Sequence, residues 1–419
     1  MAKIVVLGAG LAGLATAMLL NRDGHRVTVL ERDPAEPPAR PVDAWAEWER
    51  RGVNQFRLPH LILARWLAVA RAELPELVEA LESGGIHKYT LGEGLDGLTA
   101  RRPVFEAAMS HAAVAAGVEI RRGVTVTAAG LAELRVDADL VVDCLGRRSP
   151  VGGWLGEAVE EREDSGFVYY ARHFQGQPPE VRGTFLQPYE SLSILTLPAD
   201  HDTWSVVFVT SARDKALRAL RSPSAWAAAL AQYPLVAHWG RGTPLAPGVD
   251  VMAGIEDRHR RYVVDGVVPV GDAWACTNPS VGRGASMAML HAVLLRDVLR
   301  STALEKVAVR FDEVTTEVLE PLYRQTVAAD RHRLAEIDGD VSGVPYTPED
   351  VGFWMSKSLY CASLTDPDVA RAYYAIASFV ATPPEAIGPV IDKVRAAAPE
   401  RYPLPGPTRA GLLQALSLT

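Results

Sequence analysis

Cysteine is scarce in this sequence, and so are long hydrophobic runs. Only three cysteines occur, Cys144, Cys276 and Cys361, without a C-x-x-C spacing, so neither a disulfide scaffold nor a zinc cage is expected. No uncharged apolar run reaches the roughly 18 residues that a membrane-spanning helix needs. The first apolar strand begins at Lys3 and leaves no room for a signal peptide. These shortages predict a cytoplasmic protein without a membrane span.

Positive charge is also in short supply. The chain has 43 Lys and Arg against 51 Asp and Glu, a net charge of -8. Nucleic-acid binding usually needs a dominant basic face, so no such partner is expected. The motifs G-x-S-x-G, G-x-x-x-x-G-K-[ST] and H-E-x-x-H are absent, and the ten histidines show no metal-ligand spacing. We therefore expect neither a hydrolase triad nor a metal site.

The strongest motif that is present lies at residues 4–13, IVVLGAGLAG. Gly8, Gly10 and Gly13 have the spacing G-x-G-x-x-G between a predicted strand at 3–8 and a predicted helix at 11–21. In a dinucleotide-binding turn, these glycines permit the tight turn, the approach of a pyrophosphate and close helix–strand packing, respectively. The helix start at Leu11 and Ala12 would direct free N–H groups at the phosphates.

An acidic residue completes this unit. The predicted second strand, 25–32, contains Glu31, eighteen residues after Gly13, where a carboxylate can accept hydrogen bonds from both ribose hydroxyls. We include the neighbouring Arg32 in the predicted cofactor site. A second match, GEGLDG at 92–97, precedes no helix and is predicted to be a loop. One dinucleotide site is expected, and either a nicotinamide or a flavin could occupy it.

The segment 266–295, GVVPVGDAWACTNPSVGRGASMAMLHAVLL, favours the flavin. A predicted strand at 267–274 delivers Asp272, whose carboxylate can hold a polyol hydroxyl. A glycine-rich turn containing Pro279 then leads into a predicted helix at 284–300. The start of that helix, at Gly282, Gly284 and Ala285, can stabilise negative charge on a ligand, and reduced flavin carries such a charge.

This segment resembles the Gly-Asp motif of FAD-dependent monooxygenases of the aromatic-hydroxylase type, the p-hydroxybenzoate hydroxylase-like flavoproteins. ARRPVFEAAM (100–109) and ADLVVDCLGRRSP (138–150) resemble two further segments of that family, in the family's order. The resemblance implies that Asp272 binds the ribityl chain of FAD and that Arg102, or alternatively Arg101, reaches the cofactor. It also implies that the helix start faces the isoalloxazine ring and that Pro279 contacts its reactive face through the backbone.

One departure from the family pattern concerns the reductant. Many members carry an Asp-Gly pair after the strand at 138–146, but this chain has Arg147 and Arg148 there. The pattern therefore leaves open whether NADPH or NADH reduces FAD directly or a separate flavin reductase does so. An epoxidase-like branch of the family also fits this departure.

The predicted fold is α/β, with a Rossmann-like FAD-binding domain interleaved with a smaller substrate domain of β-sheet and helix. The FAD domain is predicted at 1–150 and 256–300, the substrate domain at 151–255 and a helical C-terminal region at 301–419. Alternating strands are predicted within 166–210. Aromatic residues are frequent there, at Phe167, Tyr169, Tyr170, Phe174, Phe185, Tyr189, Trp204 and Phe208.

The resemblance implies an FAD-dependent monooxygenase, which inserts one atom of O2 into an apolar or aromatic small molecule through a flavin C4a-hydroperoxide. Hydroxylation and epoxidation both remain open, and a role in specialised metabolism is expected. Two alternatives stay open: a reductase, dehydrogenase or cyclase similar to geranylgeranyl reductases, and a non-catalytic flavin-binding scaffold. The sequence leaves the oligomeric state undetermined.

Overall fold

The computed structural model describes residues 1–156 and 158–417. The strands are β1 Lys3–Leu7, β2 Arg26–Glu31, β3 Pro59–Ile62, β4 His87–Thr90, β5 Asp96–Arg101, β6 Glu119–Arg122, β7 Leu140–Asp143, β8 Val159–Asp164, β9 Phe167–Gln175, β10 Leu186–Tyr189, β11 Leu192–Pro198, β12 Thr203–Ser211, β13 Thr243–Pro244, β14 Asp250–Met252, β15 Glu256–Arg261, β16 Val267–Pro269 and β17 Ala275–Cys276.

The helices alternate with these strands in the first half of the chain and dominate the last third. They are α1 Leu11–Arg22, α2 Ala44–Glu47, α3 Ala64–Glu73, α4 Pro75–Ser83, α5 Arg102–Ala115, α6 Ala128–Asp137, α7 Val151–Leu155, α8 Pro223–Leu230, α9 Arg283–Ser301, α10 Val307–Val318, α11 Glu320–Ser342, α12 Val351–Ser363, α13 Pro367–Ala377, α14 Pro383–Ile387, α15 Ile391–Ala397 and α16 Arg409–Ser417.

A parallel sheet forms the first layer of the core. Its order is β16-β7-β1-β2-β6, and every neighbouring pair is parallel. The central strand β1 is apolar on both faces, with Ile4, Val6 and Leu7 fully buried, as expected for a strand that helices cover on both sides. The predicted βαβ unit and the predicted α/β fold class are confirmed.

The strand predicted at 267–274 ends at Pro269, and Asp272 lies in the 3₁₀ turn Gly271–Ala273 that follows. Two other local predictions were also wrong. The sequence VEIRRGVTVTAAG (118–130) predicts a strand pair, but only β6 forms. Helix α6 begins at Ala128, where the Thr127 hydroxyl accepts from Gly130 N at 3.2 Å. The sequence also predicts helical segments over 59–82, but the first helix there begins at Ala64, because Pro59–Ile62 pairs with β5 as an edge strand. In both places, tertiary pairing or capping overrides an ambiguous local pattern.

A second sheet is antiparallel. Its order is β10-β11-β12-β9-β13, and β14 also pairs with β9. One face, which includes Tyr170, Phe174 and Phe208, packs with Trp226 of α8 and Leu412 of α16 in a single hydrophobic cluster. Side chains on the opposite face belong to another cluster, which includes Tyr169, Leu195, Leu197 and Val207. The alternation of strand side chains thus separates an outer core face from an inner face.

Two small sheets and the C-terminal helices complete the structure. Strands β3, β5 and β4 form one three-stranded sheet, and β17, β15 and β8 form the other. Helices α10 to α15 follow the long helix α9, as the prediction of a helical C-terminal region requires. In the described part of the chain, no helix combines the length and the apolar character that crossing a membrane would require.

The packing of α1 on β1 depends on Gly13. A Cβ atom at this position would lie 1.9 Å from the Gly8 carbonyl oxygen, so the helix must move away from the turn to accommodate any side chain. We expect Gly13→Ala to lower the free energy of unfolding by about 1–3 kcal/mol, the usual cost of overpacking. Urea denaturation would measure this change.

Gly153→Ala is the matched control for that experiment. Gly153 is also helical, but a Cβ there would meet nothing within 4 Å, so this variant is expected to match or slightly exceed wild-type stability. Equal loss of stability in both variants would contradict the packing argument.

Candidate active site

A cavity of about 460 Å³ lies between the parallel sheet and the inner face of the antiparallel sheet. Its walls come from the turn after β1, the end of β2, the loop 50–61, the turn after β7 and the start of α9. The carboxyl ends of β1, β2 and β7 meet here, which is where parallel α/β sheets usually bind ligands.

The structure gathers nearly all of the sequence-predicted site residues around this cavity. The cavity-lining members are Gly8, Gly10, Leu11, Ala12, Glu31, Arg32, Arg102, Asp272, Pro279, Gly282, Gly284 and Ala285. Gly13 lies behind the turn, where its role is helix packing. Arg101, the alternative to Arg102, does not line the cavity; it forms a buried ion pair with Asp200. Arg147 and Arg148 also line the cavity.

The glycine turn leaves room for a ligand directly in front of α1. Gly10 is the N-cap of this twelve-residue helix, and no side chain caps it. A Cβ at Gly10 would have no atom within 4 Å, whereas Gly8 adopts φ +98° and lies against the Cys144 carbonyl. Free N–H groups and the positive end of the helix dipole therefore face open space, an arrangement that suits a pyrophosphate.

Glu31 is bound more tightly by the protein than the sequence indicated. Its Oε2 accepts from Ala9 N at 2.8 Å and forms a buried ion pair with Arg50, while Oε1 accepts from Asp33 N at 3.0 Å. A carboxylate offers about four lone-pair sites. Roughly one lone-pair site therefore remains free, on Oε1. Glu31 can accept a hydrogen bond from one ribose hydroxyl, and not from both as the sequence predicted.

Arg50 connects this acid to a second buried carboxylate. Its Nη1 donates to Glu106 at 2.9 Å and to the Ala9 carbonyl at 3.0 Å, and its Nε donates to Asp33 at 3.2 Å. Burial disfavours the charged guanidinium, but the charges of Glu106 and Glu31 outweigh this effect and raise the pKa of Arg50 above its usual range. Arg50 therefore stays charged and fixes three acidic side chains.

Arg102 is fixed in the same network. It pairs with Glu106 one helical turn later, and its Nη1 lies 2.8 Å from His60 Nε2. Burial and the Arg102 charge lower the pKa of His60 to about 3, so the imidazole is neutral. Its Nδ1 lies 3.2 Å from the Leu58 carbonyl and carries the proton, which leaves Nε2 to accept from Arg102. Glu106 is fully buried, and the two arginines overcome that burial and lower its pKa.

Asp272 is the acid left without a partner in the cavity. Among the described residues, none donates a hydrogen bond to its carboxylate, although the residue is half-buried and lines the cavity. Burial raises the pKa of Asp272, and the charges of Arg102, Arg147 and Arg260 lower it in part. A half-buried carboxylate with free lone pairs favours a hydrogen-bond donor in the cavity, and the hydroxyls of a polyol such as ribityl would supply one.

The start of α9 faces the same space. Gly282 caps this nineteen-residue helix with φ +69°, no side chain satisfies the first N–H groups, and a Cβ at Gly284 would meet no atom within 4 Å. The site thus brings together a second helix N-terminus and an unpaired acid. These features, together with the open cradle at Gly10, fit FAD.

The remaining wall is apolar. Leu195, Leu197 and Val207 of the inner sheet face line the cavity together with Leu58 and Leu61. Of the eight aromatic residues noted in the sequence within 166–210, Tyr169 is the only one that lines the cavity in the described part of the chain. Tyr170, Phe174 and Phe208 lie in the outer core. This wall can accommodate an apolar molecule without leaving a charge unpaired.

Sequence reasoning missed Arg50, Glu106 and His60. The spacing of four residues between Arg102 and Glu106 is the helical ion-pair spacing, so Glu106 was detectable. Arg50 lies in an irregular loop and His60 in a short edge strand, and neither position carries a local signal.

Comparisons with known proteins agree with this geometry. Residues 3–88 match the family model of FAD-dependent oxidoreductases. Solved structures with a similar fold include flavoprotein monooxygenases and also a flavin-dependent halogenase and a flavoprotein/dehydrogenase. The fold is therefore one that FAD-dependent monooxygenases and related flavoproteins share. The predicted resemblance to aromatic hydroxylases is confirmed at the level of the fold, and the match of residues 3–88 to an oxidoreductase model agrees with the prediction of an enzyme.

Particular relatives can be named. Protein Rv3254 of Mycobacterium tuberculosis is 26% identical over 405 residues, which cover 79% of this chain and 81% of that protein. The structure of 2-methyl-3-hydroxypyridine-5-carboxylic acid oxygenase has a TM-score of 0.58 at 19% identity and covers 80% of this chain and 96% of its own. OxyS anhydrotetracycline hydroxylase from Streptomyces rimosus has a TM-score of 0.56 at 19% identity, with 91% and 76% covered.

The buried charge network makes Arg50 a sensitive position. We expect Arg50→Gln to lower the free energy of unfolding by about 3–5 kcal/mol near neutral pH, because Glu31 and Glu106 lose their shared cation. The lowered pKa of Glu106 means that its contribution to stability is present above its unfolded pKa and is lost as the pH falls. The gap between variant and wild type should therefore narrow in acid, as urea titrations at several pH values would measure.

Arg51→Gln is the control for this measurement. Arg51 is the exposed neighbour in the same loop, and its substitution is expected to change stability by less than about 0.5 kcal/mol. A loss in Arg50→Gln no larger than that of the control would contradict the network.

Proposed function

We propose that this protein is an FAD-dependent monooxygenase that inserts one atom of O2 into an apolar small molecule, by hydroxylation or epoxidation. The observation that carries the proposal is that the two glycine turns and the unpaired Asp272 line the same cavity as the apolar wall of the inner sheet face. The cofactor and the substrate would therefore lie next to each other in the same cavity. The transfer of oxygen by way of bound reduced FAD, which the family resemblance implies, remains part of this proposal.

The residues divide the work along the cavity. We assign pyrophosphate binding to Gly8, Gly10, Leu11 and Ala12, and a ribose hydroxyl to Glu31. Arg32, beside it, would contact the adenosine end of FAD. These assignments follow the open cradle at Gly10 and the free lone pair on Glu31 Oε1.

The other end of the cavity would hold the flavin ring. Asp272 would bind the ribityl hydroxyls, and the start of α9, at Gly282, Gly284 and Ala285, would face the ring edge that becomes negative on reduction. Arg102 would stand beside the cofactor, held by Glu106. When bound, reduced FAD supplies the electrons that activate O2. The backbone at Pro279 would line the reactive face, and the apolar wall would hold the substrate and exclude water.

The predicted domain boundaries are part of the same proposal. Residues 1–150 and 256–300 would supply the cofactor contacts, and residues 151–255 would supply the substrate wall on the inner sheet face. The substrate would be apolar or aromatic, because Tyr169 is accompanied by aliphatic side chains. NADPH or NADH, or a separate flavin reductase, would deliver the electrons, and the protein would act in the cytoplasm.

Two alternatives make different predictions. A reductase, dehydrogenase or cyclase similar to geranylgeranyl reductases would turn over without O2. A flavin-binding scaffold would bind FAD but show no turnover that depends on a substrate. Anaerobic mixing of the purified protein with NADPH tests direct reduction: bleaching of the flavin absorbance supports a single-component enzyme. If bleaching requires an added flavin reductase, the electrons come from a partner.

Asp272→Asn tests the cofactor site itself. We expect it to weaken FAD binding by about tenfold or more, since a hydrogen bond to a charged group contributes about 1.5–3 kcal/mol. Titration of the FAD-depleted protein with FAD, followed by flavin fluorescence, would measure the change. Asp265→Asn, in the exposed turn before β16, is the control. Wild-type affinity in Asp272→Asn would remove the residue from the cofactor site.

A further inference from the structure

Hydrogen bonds lead from the cavity wall to a buried carboxyl group on α11. Ser280 lines the cavity, and its Oγ lies 3.1 Å from Asp330 Oδ1. Asn278 Nδ2 donates to the same Ser280 Oγ at 3.1 Å. The Tyr169 hydroxyl donates to Asn278 Oδ1 at 2.5 Å, which orients the amide so that its N–H₂ group faces Ser280. The C-terminal region thus contacts the turn that precedes α9.

The surroundings of Asp330 favour a neutral carboxyl group. The residue is 7% exposed, and its Oδ2 has no hydrogen-bond partner among the described residues. The charged and titratable groups facing it are Asp257 on β15, Arg283 on α9 and Tyr169 on β9. Arg283 Nη1 donates to Thr326 Oγ1 at 3.0 Å. Burial first, and then the Asp257 charge, raise the pKa of Asp330 to about 7.

The protonation state of Asp330 decides where the Ser280 hydroxyl hydrogen points. A hydroxyl donates one hydrogen bond and accepts two. When Asp330 is protonated, its O–H donates to Ser280 Oγ, which also accepts from Asn278, so the Ser280 hydrogen is free to face the cavity. When Asp330 is ionised, Ser280 must donate to the carboxylate, and the cavity loses this donor.

We propose that Asp330 stores a proton that the Ser280 hydroxyl passes into the FAD cavity. Asp330 acts through Ser280 and does not itself line the cavity. The inference rests on the proposed function, because it concerns the oxygen chemistry of bound FAD. Neither Ser280 nor Asp330 belongs to the cofactor contacts assigned above.

The reaction of reduced FAD with O2 consumes one proton, whether or not a substrate is present. When a substrate R–H is hydroxylated, FADH⁻, O2, R–H and one proton give FAD, R–OH and water. Without substrate, FADH⁻, O2 and one proton give FAD and H2O2. In each case Ser280 would release its proton to the departing oxygen and take the proton of Asp330, which becomes a carboxylate. Solvent would restore the proton along the same route when the cavity empties.

The first test needs no substrate. Dithionite-reduced protein with bound FAD is mixed with oxygenated buffer, and flavin reoxidation is followed by visible absorbance from about pH 5.5 to about pH 9. The wild-type rate is expected to fall as the pH rises through the pKa of Asp330. Asp330→Asn and Ser280→Ala should be roughly tenfold slower at low pH and lack that inflection, because an acid or its route is missing.

The second test reads the proton on Asp330 without turnover. A carboxyl group whose folded pKa is raised above its unfolded value makes the folded state less stable as the pH rises between the two values. The melting temperature of Asp330→Asn, compared with that of wild type, should therefore increase between about pH 5 and about pH 8. Ser280→Ala keeps the acid and should retain a pH-dependent melting temperature.

Asp338→Asn is the matched control for both tests. Asp338 lies two turns further along α11 and pairs with Ser211 and Arg213, away from the cavity. It should keep the wild-type inflection in reoxidation. Wild-type inflections in both Asp330→Asn and Ser280→Ala would overturn the proton store. Failure of the wild-type protein to bind FAD would instead overturn the proposed function, so the two failures are distinguishable.

Discussion

The buried guanidinium of Arg50 is the interaction on which the rest of the site depends. It contacts the acid at the end of β2, the carbonyl in the turn after β1 and the acid on α5. Three segments that are distant in sequence are thereby fixed around one charge. Since buried charges are tolerated only when they are paired and hydrogen-bonded, the network ties the shape of the cavity to the stability of the fold.

Two helix N-termini point at one cavity from different parts of the chain. Helix α1 follows the first strand, and α9 begins about 270 residues later, yet they pack against each other. Each start is uncapped by a side chain. Such ends are costly when buried without a partner, and a bound anionic dinucleotide, as proposed above, would satisfy both. In the proposed function, one cofactor would therefore contact two segments that lie far apart in the sequence.

The C-terminal region has a structural part in the site as well. Helix α11 packs on the antiparallel sheet, and α16 covers the outer face of that sheet through Leu412. Asp330 reaches the turn before α9 through Ser280. The contact between Asp330 and Ser280 places this region beside the wall of the cavity.

The sequence by itself determined the parallel βαβ unit, the glycine turn and the helix beginning near Gly282, because these depend on local spacing and strand–turn–helix order. The same order was enough to predict that Glu31 and Asp272 lie beside the cavity. Local pattern was insufficient at residues 59–62 and 118–130, where pairing and capping decided the outcome. Only the tertiary structure showed that Arg50 forms an ion pair with Glu31 and that Arg101 forms one with Asp200. It also showed that Tyr169 faces the cavity while Tyr170 faces the outer core. Those outcomes depend on which distant groups share a buried charge or a sheet face, and such pairings leave no periodic signal in the chain.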